Sequence, residues 1–265
     1  MNRVRQTLNA YSVLFLSDRL EFSVILLLAS FLHPWAGFCG LLSVIFANEC
    51  AMALGLSTFS IQKGYYGFNA LLVGLGIGST FAMTPLLIFL VIAASVFCLF
   101  LTVVMEGVLG KYGLPYLSLP FVITFWMIIP ASRYLPLSHA LVGSGAISQG
   151  YLLPWVHYFR SLGAVVFSPD VLTGGLIAIG LFWVSRIAFG LSLVGFFGVW
   201  FLTHALPVHW AFMDYGFLGY NVILTSMALG GVFLIPSFRS YLLVLGLIPL
   251  TLLLSLALNG FVSRG

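Results

Sequence analysis

The chain has 265 residues, of which 62% are hydrophobic and only 6% charged. A soluble domain carries roughly a quarter charged residues, so this composition excludes an ordinary water-facing surface, and the mean hydropathy of +1.16 points to the bilayer. The net charge of +4 comes from scattered residues, not a basic stripe, which fits positive-inside topology and excludes nucleic-acid binding.

Spans of about 20 apolar residues leave room for roughly eight to ten segments, counting short re-entrant ones. At the N-terminus Arg3 and Arg5 precede an apolar run with no small-residue cleavage site after it. A retained first helix with a cytoplasmic start is expected. The stretch GYYGFNALLVGLGIG at 64–78 is too short and too rich in glycine for an ordinary span. It reads as a discontinuous helix near the midplane.

An apolar helix is predicted over 82–106, then a KYG turn at 111–113 and the segment LPYLSLPFVITFWMII at 114–129. Pro115 and Pro120 should break that segment into a half-helix or re-entrant piece. Residues 130–158, with PASRY, GSG and two prolines, read as a linker.

Beyond the linker the pattern starts again at a constant offset of 152 residues, with no gap needed. Phe15 aligns with Phe167, Asp18 with Asp170, Gly64 with Gly216, Gly67 with Gly219, Asn69 with Asn221, Leu72 with Leu224 and Gly78 with Gly230. Three glycines and an asparagine in register distinguish a repeat from recurring apolar residues. The expected organisation is a first membrane repeat over 1–150 and a second over 151–265. An odd number of spans per unit would invert the second copy. At this offset Gly113 corresponds to Gly265, so the second LPYLSLPF segment is expected to be missing.

Cys39, Cys50 and Cys98 lie in apolar stretches without CxxC spacing, and the five histidines never pair as HxxxH. Buried packing thiols and no metal or cofactor are expected. No nucleophile motif or phosphate loop supports an enzyme, and GLGIG follows a membrane motif, not a βα unit. The acidic residues Asp18, Glu21, Glu49, Glu106, Asp170 and Asp214 fall near predicted segment ends. That placement disfavours an ion-coupled transporter, which needs ionisable groups at mid-membrane.

QKGYYGFNALLVG at 62–74 and LPYLSLPF at 114–121 resemble the signature and pore segments of the urea transporter family. FSPDVLTGGLIAIGLFWVSRIA at 167–188, GYNVILTSMALGG at 219–231 and FRSYLL at 238–243 extend the resemblance over nearly the whole chain. It implies an all-α integral membrane protein with two inverted-topology repeats and re-entrant helices around a central pore. It further implies passive passage of urea or a similar small neutral solute, a homotrimer, and a multi-pass protein of the inner or plasma membrane.

Carried over residue by residue, Phe15, Phe68 and Leu72 wall a slot in the first repeat, and Phe167, Tyr220 and Leu224 in the second. Ser118 supplies a hydroxyl. Asn69 and Asn221 can donate to and accept from backbone groups freed at helix breaks. Such a slot suits urea, a flat neutral solute rich in N–H donors that needs acceptors and no charge. Tyr220 stands where the family usually has Phe, Ser118 where it has Thr, and Ser12 and Ala164 where it has Gln or Glu. The alternatives are a non-conducting or fragmentary paralogue, or a channel for another small amide or ammonia.

Overall fold

The computed structural model describes residues 3–139, 154–205 and 215–263. It divides the chain into two units, 1–147 and 148–265. The junction expected near residue 150 lies outside the described residues. Among the described residues the chain is helical, with one isolated β-bridge between Phe81 and His139.

The first unit contains α1 (Arg3–Val13), α2 (Leu20–Ser30), α3 (Pro34–Ala53), α4 (Thr58–Lys63), α5 (Gly67–Thr80), α6 (Pro85–Gly110) and α7 (Leu119–Ser132). The second contains α8 (Pro154–Ala164), α9 (Val171–Val184), α10 (Arg186–Ala205), α11 (Tyr215–Met227), a π-helical turn over Ala228–Phe233, and α12 (Phe238–Ser263). Among the described residues, four helical stretches are long and apolar enough to cross a bilayer: α3, α6, α10 and the Phe238–Ala257 part of α12. The protein is an all-α membrane protein.

Several boundaries differ from the sequence reading. The first helix is only 11 residues long and buries Gln6, Asn9, Tyr11 and Ser12, so it packs inside the unit instead of spanning. The Gly-rich stretch of the first unit is short, as expected, yet α5 runs unbroken for 14 residues. Its glycines admit a neighbour; they do not interrupt the helix. A Cβ at Gly74 would strike the Cys39 carbonyl and the Ser43 hydroxyl of α3. This close approach lets α3 and α5 pack backbone to backbone, as small residues do in membranes.

Helix α6 starts three residues later than predicted, where Thr84 Oγ1 accepts the Leu87 amide at 3.1 Å and Pro85 takes a first-turn position. Pro120 likewise opens α7 instead of breaking it, because a first-turn proline lacks only an N–H that has no helical partner. Helices occupy both ends of the expected 130–158 linker, and its middle lies outside the described residues.

Side chains from α3, α5, α6 and α7 make the main core of the first unit, with Cys39, Val73, Ile77, Phe81, Leu87, Val91, Cys98 and Ile128 buried together. Val199, Val222, Ile248 and Leu252 do the same for α10, α11 and α12. Phe89, Trp183, Phe201 and Leu253 are exposed on outer faces, the arrangement expected where lipid is the solvent.

The turn after α1 and the turn after α8 share one hydrogen-bond pattern. In the first, Leu16 N bonds to Val13 O at 2.9 Å and Ser17 N to Ser12 O at 3.1 Å. In the second, Phe167 N bonds to Ala164 O at 3.0 Å and Ser168 N to Gly163 O at 3.1 Å. Both are Schellman closures, and both place a non-glycine at the left-handed position: Leu16 at φ +56° and Phe167 at φ +58°. The backbone therefore equates Phe167 with Leu16, not with Phe15. The shift of one residue persists into the helix starts, Leu20 and Val171, and is gone by Pro34 and Arg186. One extra residue between the start of α9 and that of α10 restores the offset of 152, so the gapless alignment fails locally.

Candidate functional site

In the first unit the start of α5 meets the irregular stretch between α6 and α7. Gly64 makes this start possible. It closes α4 at φ +82°, and a Cβ there would strike the Ala10 amide of α1. Phe68, Asn69 and Leu72 then follow on the first turns of α5. Phe68 and Leu72, one turn apart on one face, are each 8% exposed, and Asn69 is fully buried.

The Asn69 carboxamide reaches the pore-like segment with both ends. Nδ2 donates to the Leu117 carbonyl at 3.1 Å, and Oδ1 accepts the Phe121 amide at 3.3 Å. Leu117 itself is held at φ +43°, in the left-handed region that non-glycine residues rarely adopt. Ser118 is the N-cap of α7, is exposed, and makes no side-chain capping bond. Its hydroxyl is therefore not engaged in closing the helix. Beside it, the Tyr116 ring stacks on Phe68 with centroids 6.1 Å apart, and its hydroxyl donates to the Tyr65 carbonyl at 3.1 Å.

Phe15 lies in the turn that follows α1, 2% exposed, and its ring meets Phe22 edge-on at 5.5 Å. Ser12, in the polar position of the family pattern, is buried and donates to the Asn9 carbonyl at 3.1 Å.

In the second unit Phe167 is half-buried in its turn, while Tyr220, Asn221 and Leu224 occupy α11, each half-buried. Gly219 brings α11 against α8, since a Cβ there would strike Ser161.

The structure thus joins Asn69 and Phe68 to the stretch that carries Ser118, with Leu72 one turn beyond Phe68 on the same face of α5, and places Tyr220, Asn221 and Leu224 on α11. Tyr116 is a contributor that sequence reasoning misses, because its partners Phe68 and Tyr65 lie 48 and 51 positions earlier in the chain. Among the described residues no three His, Cys, Asp or Glu side chains gather as a metal site. Cys39 and Cys98 are buried free thiols, and Cys50 is half-buried and free.

A family profile described as "Urea transporter" matches residues 4–264. Urea transporter 1 of Mus musculus is 26% identical over 251 residues, covering 88% of this chain and 64% of that protein. The proteins of the same name from Rattus norvegicus and Capra hircus are 26% and 25% identical over the same shares. The chain therefore spans 64% of the length of these relatives. Since the profile covers almost every residue, including both Gly-rich helices and the stretch that Asn69 holds, the chain belongs to the urea transporter family.

Proposed function

We propose that this chain conducts urea passively across the inner or plasma membrane, through a pore inside each subunit of a homotrimer, and performs no enzymatic chemistry. Residues 1–150 and 151–265 act as two membrane repeats in this reading. Phe15, Phe68 and Leu72 serve as apolar walls in the first repeat, and Tyr220 and Leu224 take the same part in the second, joined by Phe167 from the turn position that matches Leu16. Ser118 offers its hydroxyl to the solute. Asn69 and Asn221 hold backbone in place.

The observation that carries this reading is the join between Asn69 and the 117–121 stretch. It ties the first turns of α5, which carry Phe68 and Leu72, to the stretch in which Ser118 keeps an uncapped, exposed hydroxyl. Passage of urea needs oxygen acceptors next to a dry wall, and no charge on the solute calls for a counter-ion. The family match and the three relatives named urea transporter 1 support the same solute.

Proteoliposomes carrying the full chain test it by stopped-flow light scattering in a urea gradient. They should shrink and reswell faster than empty liposomes, with no dependence on a Na⁺ or H⁺ gradient. A urea flux equal to that of empty liposomes sinks the proposal, and a flux that needs an ion gradient replaces it with coupled transport.

A further inference from the structure

We infer that Tyr116 is a positioning residue that fixes the Phe68 ring and thereby sets the size limit on the solute. This rests on the urea-conduction reading above.

The Tyr116 ring is pinned twice. One face stacks on Phe68 at 6.1 Å and 23°, and the tip donates to the Tyr65 carbonyl at 3.1 Å, three residues before Phe68. The hydrogen bond ties the ring to the backbone that leads into α5, so the two aromatic planes are registered by a contact outside the stack. Phe68 is 8% exposed, so nearly all of its surface is in contact and little of it is free to turn while Tyr116 is present. Take the ring away and Phe68 gains space on one face, where its side-chain torsions can move to a neighbouring well.

Asn69 does not substitute for this restraint. It holds the backbone at Leu117 and Phe121 and leaves the Phe68 side chain untouched. The stretch is therefore anchored by one residue and the slot wall by another. Size selection by an apolar wall is sensitive to small changes, since a single methyl group is discriminated by about tenfold or more when the wall is rigid. A loosened Phe68 should lose part of that discrimination.

The test compares the full-length chain with Tyr116→Phe and Tyr116→Leu in proteoliposomes, reading the ratio of N-methylurea to urea permeability. In parallel, 4-fluorophenylalanine at position 68 reports the ring environment by ¹⁹F NMR. Tyr116→Leu, which removes both restraints, should raise the permeability ratio by about threefold or more, and Tyr116→Phe, which keeps the stack and loses only the bond to Tyr65, should give a smaller rise, up to about twofold. The ¹⁹F line should broaden or split in the Leu variant, as the Phe68 ring samples neighbouring torsional wells, and stay single and sharp in the unsubstituted chain; its linewidth and multiplicity are the readout, since the lost ring current shifts the line by itself. Equal losses of both permeabilities in Tyr116→Leu, with an unchanged ratio, would make the ring a structural support only and overturn the inference. A ¹⁹F line as single and sharp in the Leu variant as in the unsubstituted chain would overturn it as well. If the unsubstituted chain passes no urea while the line broadens or splits in the Leu variant, the conduction reading and the size-limit role fall together, and the positioning of Phe68 stands.

Discussion

Asn69 Nδ2 donates to the Leu117 carbonyl oxygen across 3.1 Å, 48 residues away in sequence. The other end of the carboxamide accepts the Phe121 amide at 3.3 Å. Phe121 is the third residue of α7, and its N–H is one of the first-turn donors that an N-cap side chain normally accepts. Ser118 occupies the N-cap without doing so. A side chain from α5 therefore caps α7 from outside, which leaves the Ser118 hydroxyl available.

Replacing Asn69 by Leu keeps the branching at Cγ and removes both bonds, leaving a part-buried carbonyl and a part-buried amide without this partner. The expected loss is about 1–2 kcal/mol. Thermal unfolding in detergent should show a lower midpoint. Asn69→Asp should not rescue it at neutral pH, because a carboxylate at this fully buried position cannot donate to the Leu117 carbonyl it faces and carries its own desolvation cost.

Gly74 gives a second, independent prediction. Its missing Cβ is where the Cys39 carbonyl and the Ser43 hydroxyl of α3 approach, so Gly74→Ala must push α5 off α3 at a cost of about 1–3 kcal/mol. Gly107, in the interior of α6, has open space where a Cβ would go. Gly107→Ala should leave stability unchanged or raise it by up to about 1 kcal/mol. The same unfolding measurement on the two variants checks the contrast.

Asn69 and Gly74 differ in how far the sequence reveals them. Asn69 recurs in the second half as Asn221 at the offset of 152, flanked by glycines that recur with it, and that register alone marks the segment as important. What the glycines do is not legible there, because a Gly-rich stretch looks alike whether it breaks a helix or admits a neighbour. Only the packing of α3 distinguishes the two. Tyr116 is hidden for a different reason. Its role depends on a stack and a hydrogen bond to residues 48 and 51 positions earlier, and nothing in its neighbours signals those contacts.

The pairing of Phe15 with Phe167 is a register error at one turn. Identical residue types at the right offset suggest equivalence, while the turn geometry assigns Phe167 the place of Leu16. The difference matters because the left-handed residue of a Schellman turn is the constrained one. Leu16→Ile puts a β-branched side chain at φ +56° and should cost about 1–2 kcal/mol. Leu16→Val should behave alike, whereas Phe15→Leu, one residue earlier, should change stability through packing alone. Unfolding midpoints of the three variants separate backbone strain from lost contact.

The Lys63–Asp18 ion pair, at 3.3 Å with the Asp18 side chain 80% exposed, invites a stabilising role that its setting does not support. Exposed pairs contribute about 0–1 kcal/mol. Asp18→Asn should therefore shift the unfolding midpoint little, and by less still at high salt. Asn9→Ala nearby should matter more, since it removes the 2.6 Å bond from Asn9 Nδ2 to the Gln62 carbonyl that fastens α1 to α4.

Ser118 offers the clearest separation of stability from transport. An N-cap serine lost to alanine usually costs about 1 kcal/mol through the broken capping bond, but this hydroxyl makes no such bond. Ser118→Ala should therefore leave the unfolding midpoint nearly where it was. If the hydroxyl accepts from urea in passage, the same variant should lower urea permeability by about threefold to tenfold, the value of one hydrogen bond to a desolvated solute. Ser118→Thr restores the hydroxyl and should conduct within about twofold of the unsubstituted chain. A fall in stability without a fall in flux would reverse the assignment: Ser118 would then be a structural residue, and the acceptor beside Phe68 would have to be a backbone carbonyl of the 114–118 stretch.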